Sequence, residues 1–462
     1  MLSCMNGRDS IVRGTRATAR HVTRHLPAAA CLAACVVSSV AALSADLDPA
    51  TVTELTVAQA RSLGAAGGEI TLPKLATLPP AVAAALVTPD LKLLDLPGII
   101  TLEPAAAAAL VTDGRLYTLR LDGLEELSPE MARILARHEY QLRLAGLRKI
   151  DSGVAAELVR GNFTNLALPL PADVPLDTLR ALGAAPFNLN FTGPAVITAE
   201  FADAFIDYRK VLEFSGPVAP LDPDVARRLT FPGMLNVEGP IVLSDEVAAI
   251  LEQRKGDVWI QGLTALTPGV ARMLASRRES VDLQRLTTID AECAGILAGH
   301  RGHFLWLPAV AELGPEAARA LTRFEGWLSL TGLRDLTPEV AGILASHRSD
   351  LVLGLDALTP ELAAALASHA CELLLPSVEA VDGPDAAAIA RTLAGKPGSL
   401  RLPRLRRVTP RALEALASGP QVEIPLVESL ELVGGTAGDD LVLPEAFLER
   451  QRQKRAEGIR QR

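Results

Sequence analysis

Leu328-Ser329-Leu330-Thr331-Gly332-Leu333-Arg334-Asp335-Leu336-Thr337-Pro338-Glu339-Val340-Ala341, followed by Leu344-Ala345-Ser346-His347, is the clearest copy of a pattern that recurs about sixteen times along the chain. The first apolar residue of each copy is Ile70, Leu94, Leu119, Leu142, Leu166, Leu189, Leu212, Leu235, Val258, Val281, Leu305, Leu328, Leu351, Leu373, Leu400 or Val422. The copies follow one another every 22 to 25 residues, with one interval of 27 before Leu400. With that residue counted as position 1, apolar side chains return at 3, usually at 6 and 9, and at 17, with alanine common at 14. Positions 1 and 3 alternate as in a strand, whereas 14 and 17 share one face of a helix. Each copy predicts a short strand, a turn and about two turns of helix.

Both halves carry local support. Gly123, Gly146, Gly262 and Gly332 stand at position 5, where the chain leaves the strand and a backbone angle open only to glycine is expected. At position 10 come Ser128, Thr267, Thr337, Thr359 or Thr409, each followed by proline and often by glutamate. A hydroxyl caps orphan amides, proline suits the first helical position and an early carboxylate favours the positive end of the helix dipole. The helix starts there.

No copy can stand alone. About six buried aliphatic side chains, at roughly 1.5 to 3 kcal/mol each, do not outweigh about 1 to 2 kcal/mol for every residue ordered. Stacking the copies supplies the missing burial. The expected fold class is an α/β solenoid, an arc or horseshoe with one parallel β-sheet on its concave face and short helices on its convex face.

The consensus L-x-L-x-x-L-x-x-L-T-P-E-x-A-x-x-L-A, carried by Leu333, Leu336, Thr337, Pro338, Glu339, Leu344 and Ala345 in the copy above, resembles the leucine-rich-repeat family. Its nearest flavour is the cysteine-containing type, here shortened to about 23 residues and with Leu, Val or Pro where that type places its asparagine or cysteine ladder. The resemblance spans residues 70–430 and implies a concave sheet used for recognition of a protein or other ligand.

Residues 1–45 differ in kind. Arg8, Arg13, Arg16, Arg20 and Arg24 precede an apolar, alanine-rich run from Leu26 to Ala45, the pattern of a bacterial-type export signal. Three fates fit the segment: cleavage after Ala45 or Ala42, lipidation at Cys35 in the lipobox-like Leu32-Ala33-Ala34-Cys35, or retention as a membrane anchor. The expected division is 1–45 signal or anchor, 46–69 N-terminal cap, 70–430 solenoid and 431–462 C-terminal cap with a charged tail. The expected location is periplasmic, cell-envelope or extracellular, with the membrane touched only through the N-terminal segment.

The formal charge of −9 becomes −13 once the five arginines and one aspartate of residues 1–45 are set aside. Such an acidic body argues against nucleic acid as partner. Of the cysteines in the repeats, Cys293 and Cys371 sit three copies apart, beyond disulfide reach. Cys293 takes a helical core position. His138, His300, His347 and His369 each follow the position-17 leucine by three residues. The expectation is a polar helix terminus with a partly charged imidazole at the negative dipole end; a metal shared by His347 and His369 is the alternative.

No G-x-S-x-G, H-E-x-x-H, phosphate-cradling or paired C-x-x-C motif occurs. No catalytic residue, metal or cofactor is assigned, and the expected function is a non-enzymatic recognition scaffold with a protein partner. A structural envelope role, or an exported enzyme with a site built from scattered residues, is the alternative. Asp439 and Asp440 read as a cap loop. The Asn-Phe-Thr sequons at Asn162 and Asn190 matter only in a glycosylating host. In the middle of the array Gly193-Pro194, Gly216-Pro217 and Gly239-Pro240 replace a core leucine among Phe187, Phe191, Phe201, Phe205, Phe214 and Phe231, whose rings are expected to fill the vacated volume. The ligand-binding candidates are Trp259, Phe304, Trp306 and Trp327. They occupy positions 0 and 2, which face away from the core when 1 and 3 face into it.

Overall fold

The computed structural model describes residues 48–460 apart from 113–115, 255, 278–279 and 435–440. The segment 1–45 with Cys35, and the acids Asp439 and Asp440, lie outside the described residues. The described chain forms one compact unit in which strand and helix alternate from the helix Val57–Ala66 to the helix Glu445–Arg460. All main-sheet pairings are parallel, and within each sheet a strand pairs with the one a repeat later, as in Leu328↔Leu351 and Leu330↔Leu353. The chain is an α/β solenoid of strand-helix repeats, with sheet on one side and a row of short helices on the other.

The clearest copy shows how sequence becomes layer. Leu328, Leu330, Leu333, Leu336, Val340, Ala341 and Leu344 are all buried, so both the period-2 and the helical stretches point into one continuous apolar core. The helix caps follow the sequence. The hydroxyl of Thr337 accepts from the Val340 amide at 3.3 Å and that of Ser128 from Met131 at 3.2 Å, with Thr359 and Thr409 doing the same in their own copies. The cap, Pro338 at the first turn and burial of one face hold a helix of two turns that would melt in isolation.

Two expectations need correction. The position-5 glycines do not use a special backbone angle, since among the described residues only Gly67, Gly68 and Gly434 have positive φ. Steric access between repeats requires them instead: a Cβ on Gly146 would stand 1.9 Å from the Asp122 carbonyl oxygen, and one on Gly262 would stand 1.8 Å from that of Gly239. The second correction concerns the sheet, which is not continuous. Nine strands run from Gly68–Thr71 to Val258–Ile260, seven from Val281–Asp282 to Val422–Glu423, and a separate three-stranded ladder flanks the last copies. The helix row continues across the junction, with Pro268–Ala275 packed on Ala291–Leu297, so the solenoid opens on the sheet side only.

The central copies are filled as expected. Phe191, Phe201, Phe205, Phe214 and Phe231 are buried, and Phe201 stacks on Phe205 with ring centres 4.4 Å apart. Beyond the Gly-Pro steps, isolated bridges join Ala195 to Val218 and Ile241 to Leu263. At the C-terminal end the polar helix Glu445–Arg460 buries Phe447 and reaches the last copy through Gln451, whose side chain accepts from the Val427 amide and donates to the Pro425 carbonyl.

Candidate functional site

The site is built on the corners where each helix ends and the next strand begins. Three residues beyond the position-17 side chain, a buried polar group turns back to main-chain carbonyls. Lys396 Nζ donates to Cys371 O at 2.8 Å and to Ser399 O at 2.9 Å. The Tyr208 hydroxyl spans Phe187 O and Val211 O at 2.6 and 3.1 Å. His369 faces Ala345 O and Glu372 O, both at 3.2 Å, while His138 faces Gln141 O and His347 faces Gly326 O. The acceptors three residues further on, Gln141, Val211, Glu372 and Ser399, all stand at position 0 of the next copy. A side chain of this row therefore holds the start of the strand that follows it, and often ties that strand to the copy before.

His138, His347 and His369 are not partly charged dipole caps. Burial lowers all three, His138 to about 4, although the carbonyl contacts pull the other way. They are neutral at pH 7. His347 and His369 turn to carbonyls, and no group of three or more His, Cys, Asp or Glu gathers among the described residues. Cys293 is likewise a core residue, its thiol pushed up to about 12 by burial.

Arg254 is the most engaged member of the row. Its guanidinium donates to Leu229 O, Phe231 O, Gly233 O and Asp257 O at 2.7 to 3.0 Å and lies 4.1 Å over the centre of the Phe231 ring. One repeat later the same position holds Arg277. It reaches Leu251 O at 3.1 Å, and its Nε is buried without a partner. The two arginines repel, which adds to the burial that brings Arg254 down to about 10. The strand after Arg254 pairs with its predecessor through Leu235↔Val258; the strand after Arg277, Val281–Asp282, does not pair with Val258–Ile260. At this pair of junctions the break coincides with the less engaged arginine.

A cleft of about 310 Å³ occupies the break, lined among others by Val258, Trp259, Arg277, Asp282 and Trp306. A second cavity of about 310 Å³ adjoins it over Trp327, Val352, Leu374 and Pro376, and the two share Phe304 and Trp306. Trp259, Phe304 and Trp306 are 41, 43 and 51% exposed. Trp327 is half-buried, with its ring centre 5.4 Å from that of Phe304, to which it is register-paired. All four sequence-selected aromatics thus lie on the outward face of the sheet, Trp259 on one side of the break and the other three on the other side.

Much of the rest of the face is polar, although Asn165 Oδ1 and Asn236 Oδ1 are buried without partners. Asp95, Arg120, Arg143 and Asp122 form ion pairs near one end, and Arg401 pairs with Glu372 and Glu423 near the other. Between the Asp95–Arg143 end and Trp259, Asn190 donates to Glu213, whose carboxyl burial raises, and accepts from Ser215. Asn190 is thereby buried as a glycan acceptor, while Asn162 is exposed. Sequence reasoning found the aromatics by alternation but missed Arg254, Arg277, Lys396 and Tyr208 as one row. The signal was present: a hydrogen-bond donor recurs three residues after the helix leucine in copies otherwise unrelated at that point.

No protein-family model and no curated protein sequence matches the chain. Among solved structures, it is similar to a leucine-rich-repeat protein of Leptospira interrogans, at 16% identity and a TM-score of 0.37 over 84% of this chain and 98% of that one. It is similar to a chain of the Rad7 and Elc1 complex in yeast at 14% identity and a TM-score of 0.35, over 88% of this chain and 99% of that one. For the leucine-rich repeat domain of APL1B the figures are 11% and 0.26, over 92% and 98%. Every one of these TM-scores is low, and the fold rests on the strand pairing and helix packing described above.

Proposed function

We propose that the chain is an exported, non-enzymatic recognition scaffold that holds a protein partner against the aromatic stretch of its sheet. The observation that carries this reading is the contrast along one face: polar and charged side chains predominate over most of it, whereas Trp259, Phe304 and Trp306 present apolar surface to solvent beside two adjoining cavities. Exposed aromatic patches of this kind are uncommon on monomeric surfaces and mark binding sites, and tryptophan dominates binding energy where such patches are covered. Export is supported by the arginines and apolar run of residues 1–45; no described helix is long and apolar enough to cross a membrane.

The test compares the wild-type chain with Trp259→Ala/Trp306→Ala, each immobilised and presented with a cell-envelope extract. The retained proteins are identified by mass spectrometry, and the affinity of the purified partner is then measured. The double substitution is expected to weaken binding by about 2 kcal/mol or more and to leave the urea unfolding midpoint nearly unchanged. Identical retention by both proteins would remove the sheet face as the site. N-terminal sequencing and the mass of the mature chain test export separately: a start at Asp46 or a lipidated Cys35 supports it, and an intact cytoplasmic chain beginning at Met1 refutes it.

A further inference from the structure

The break in the sheet leaves main-chain groups with nowhere to go. Within the nine-stranded sheet, Leu235 N–H donates to Asp257 O and Gln261 N–H to Val237 O, so the groups of Asp257, Trp259 and Gln261 turn toward the preceding strand. Alternation then turns the N–H and C=O of Val258 and Ile260 toward the break. On the far side, Val281 and Leu283 turn toward the following strand, Leu283 N–H donating to Trp306 O at 2.9 Å, which leaves the groups of Asp282 directed at the break. Elsewhere a position-1 amide donates to the position-0 carbonyl of the next strand, as in Leu328 to Asp350, Leu351 to Glu372 and Leu373 to Ser399. Among the described residues no such bond joins Val258 to Ser280 or Ile260 to Asp282. Two strand edges therefore face each other across a cleft inside the solenoid, where unpaired edges are otherwise confined to the ends.

Among the described residues, side chains bridge the opening beyond the strands, through Gln284 to Gln261 at 3.4 Å and Arg285 to Glu238 O at 3.1 Å. The wall of the cleft also holds Arg277 Nε and Asp282 Oδ1, a donor and an acceptor buried without partners. A cleft with an unmatched donor and acceptor in its wall gains by opening onto a group that supplies both, and a peptide unit does so. Its volume, about 310 Å³, is twice the roughly 150 Å³ that admits benzene. That is room for a large side chain and a little main chain, and too little for a folded element. Trp259 and Trp306 stand on opposite sides of the opening.

We infer that the break between Val258–Ile260 and Val281–Asp282 is a docking slot for an extended peptide segment of the partner protein, which adds to the free edge of the Val258–Ile260 strand and lays one apolar side chain between Trp259 and Trp306. Main-chain pairing supplies the affinity and the aromatic cleft the side-chain preference, as in other strand additions. The inference rests on the sheet-face reading above and narrows its partner to an unfolded stretch of chain.

The probe is a phage-displayed library of random dodecapeptides panned on the full chain, with enriched sequences synthesised and titrated by tryptophan fluorescence. Each peptide is then N-methylated one residue at a time. The expected result is an alternating pattern: methylation weakens binding at least tenfold at every second residue of a short stretch and leaves the intervening residues unaffected. The Val258, Ile260 and Asp282 amides exchange more slowly when the peptide is bound, and Trp306→Ala weakens it at least tenfold. Peptides that depend on Trp306 but ignore N-methylation would overturn strand addition and leave the sheet-face reading standing. Peptides indifferent to both Trp259→Ala and Trp306→Ala would overturn both. A library that yields no binder overturns the slot while leaving the face open to a folded partner.

Discussion

Arg254 and Arg277 occupy the same position in successive repeats and have opposite consequences. The first ties four carbonyls of two copies together, and the strand that follows it is paired; the second ties one, and the strand that follows it is not. The helices behind both junctions pack alike. Continuity of the helix row therefore does not guarantee continuity of the sheet. Of the two arginines, the more engaged one precedes a paired strand and the less engaged one a free edge, although the strands after Gly161 and Phe324 pair without any such clamp. What closes the fold at one junction opens a cleft at the next.

The sharpest way to break that comparison is Arg254→Met, which keeps the apolar stem over Phe231 but removes every donor. Carbonyls at two corners lose a charged partner, and stability is expected to fall by about 3 to 5 kcal/mol. Urea unfolding measures it, and slower-exchanging amides in Leu235–Val237 should become labile as a second break opens. A loss under about 1 kcal/mol would mean that the strands hold the corner rather than the reverse.

A second test uses the chemistry of the row. His138 performs at its corner what Arg254 performs at another, but as a neutral group whose value is lowered to about 4 by burial. The unfolded chain takes up its proton near pH 6.5 while the folded chain resists until about pH 4. The unfolded state thus binds more protons in that window, so the stability is fully present above about 6.5 and drains away as pH falls toward 4. The shift corresponds to up to about 3 kcal/mol by pH 4. Replacing His138 by Gln should flatten this part of the pH profile in thermal melts between pH 7 and pH 4. His347 and His369, lowered for the same reason, keep a residual slope in that variant.

The close approach of repeats gives a smaller effect. Gly262→Ala places a methyl group inside the van der Waals radius of the Gly239 carbonyl oxygen and should destabilise by about 2 kcal/mol. Gly193→Ala meets nothing within 4 Å and should fall within about 0.5 kcal/mol of wild type. Equal effects at the two sites, read from urea midpoints, would show that chain entropy rather than contact between repeats decides.

The repeat itself was legible because its signals are local. Leu328 and Leu330 alternate, Thr337-Pro338 starts a helix, and Val340, Ala341 and Leu344 share one face, all within about twenty residues. Alternation also sufficed to put Trp259, Phe304, Trp306 and Trp327 on the outer face. The break was not legible, because the copies beginning at Val258 and Val281 read like their neighbours at every core position. Whether a guanidinium reaches carbonyls in the copy before it depends on how two copies sit together, and a single copy does not encode that. The position-5 glycines misled for the same reason: the atom that forbids a side chain on Gly262 belongs to Gly239, one repeat away.

The smallest expected effect tests the comparison from its other side. Arg277→Met removes a group that holds one carbonyl and leaves its own Nε unpaired. The stability lost with Leu251 O is offset by relief of an unsatisfied buried donor and of repulsion against Arg254. The net change in the urea midpoint should correspond to less than about 1 kcal/mol, several-fold below that of Arg254→Met. Peptide binding at the cleft is expected to weaken in the same variant, because the wall loses the unpartnered Arg277 donor that an entering peptide carbonyl could satisfy. A large loss of stability would show that Arg277 clamps its corner after all and that the break has another cause. Unchanged stability together with unchanged peptide affinity would place the peptide's contacts on the Val258–Ile260 edge and the tryptophans alone.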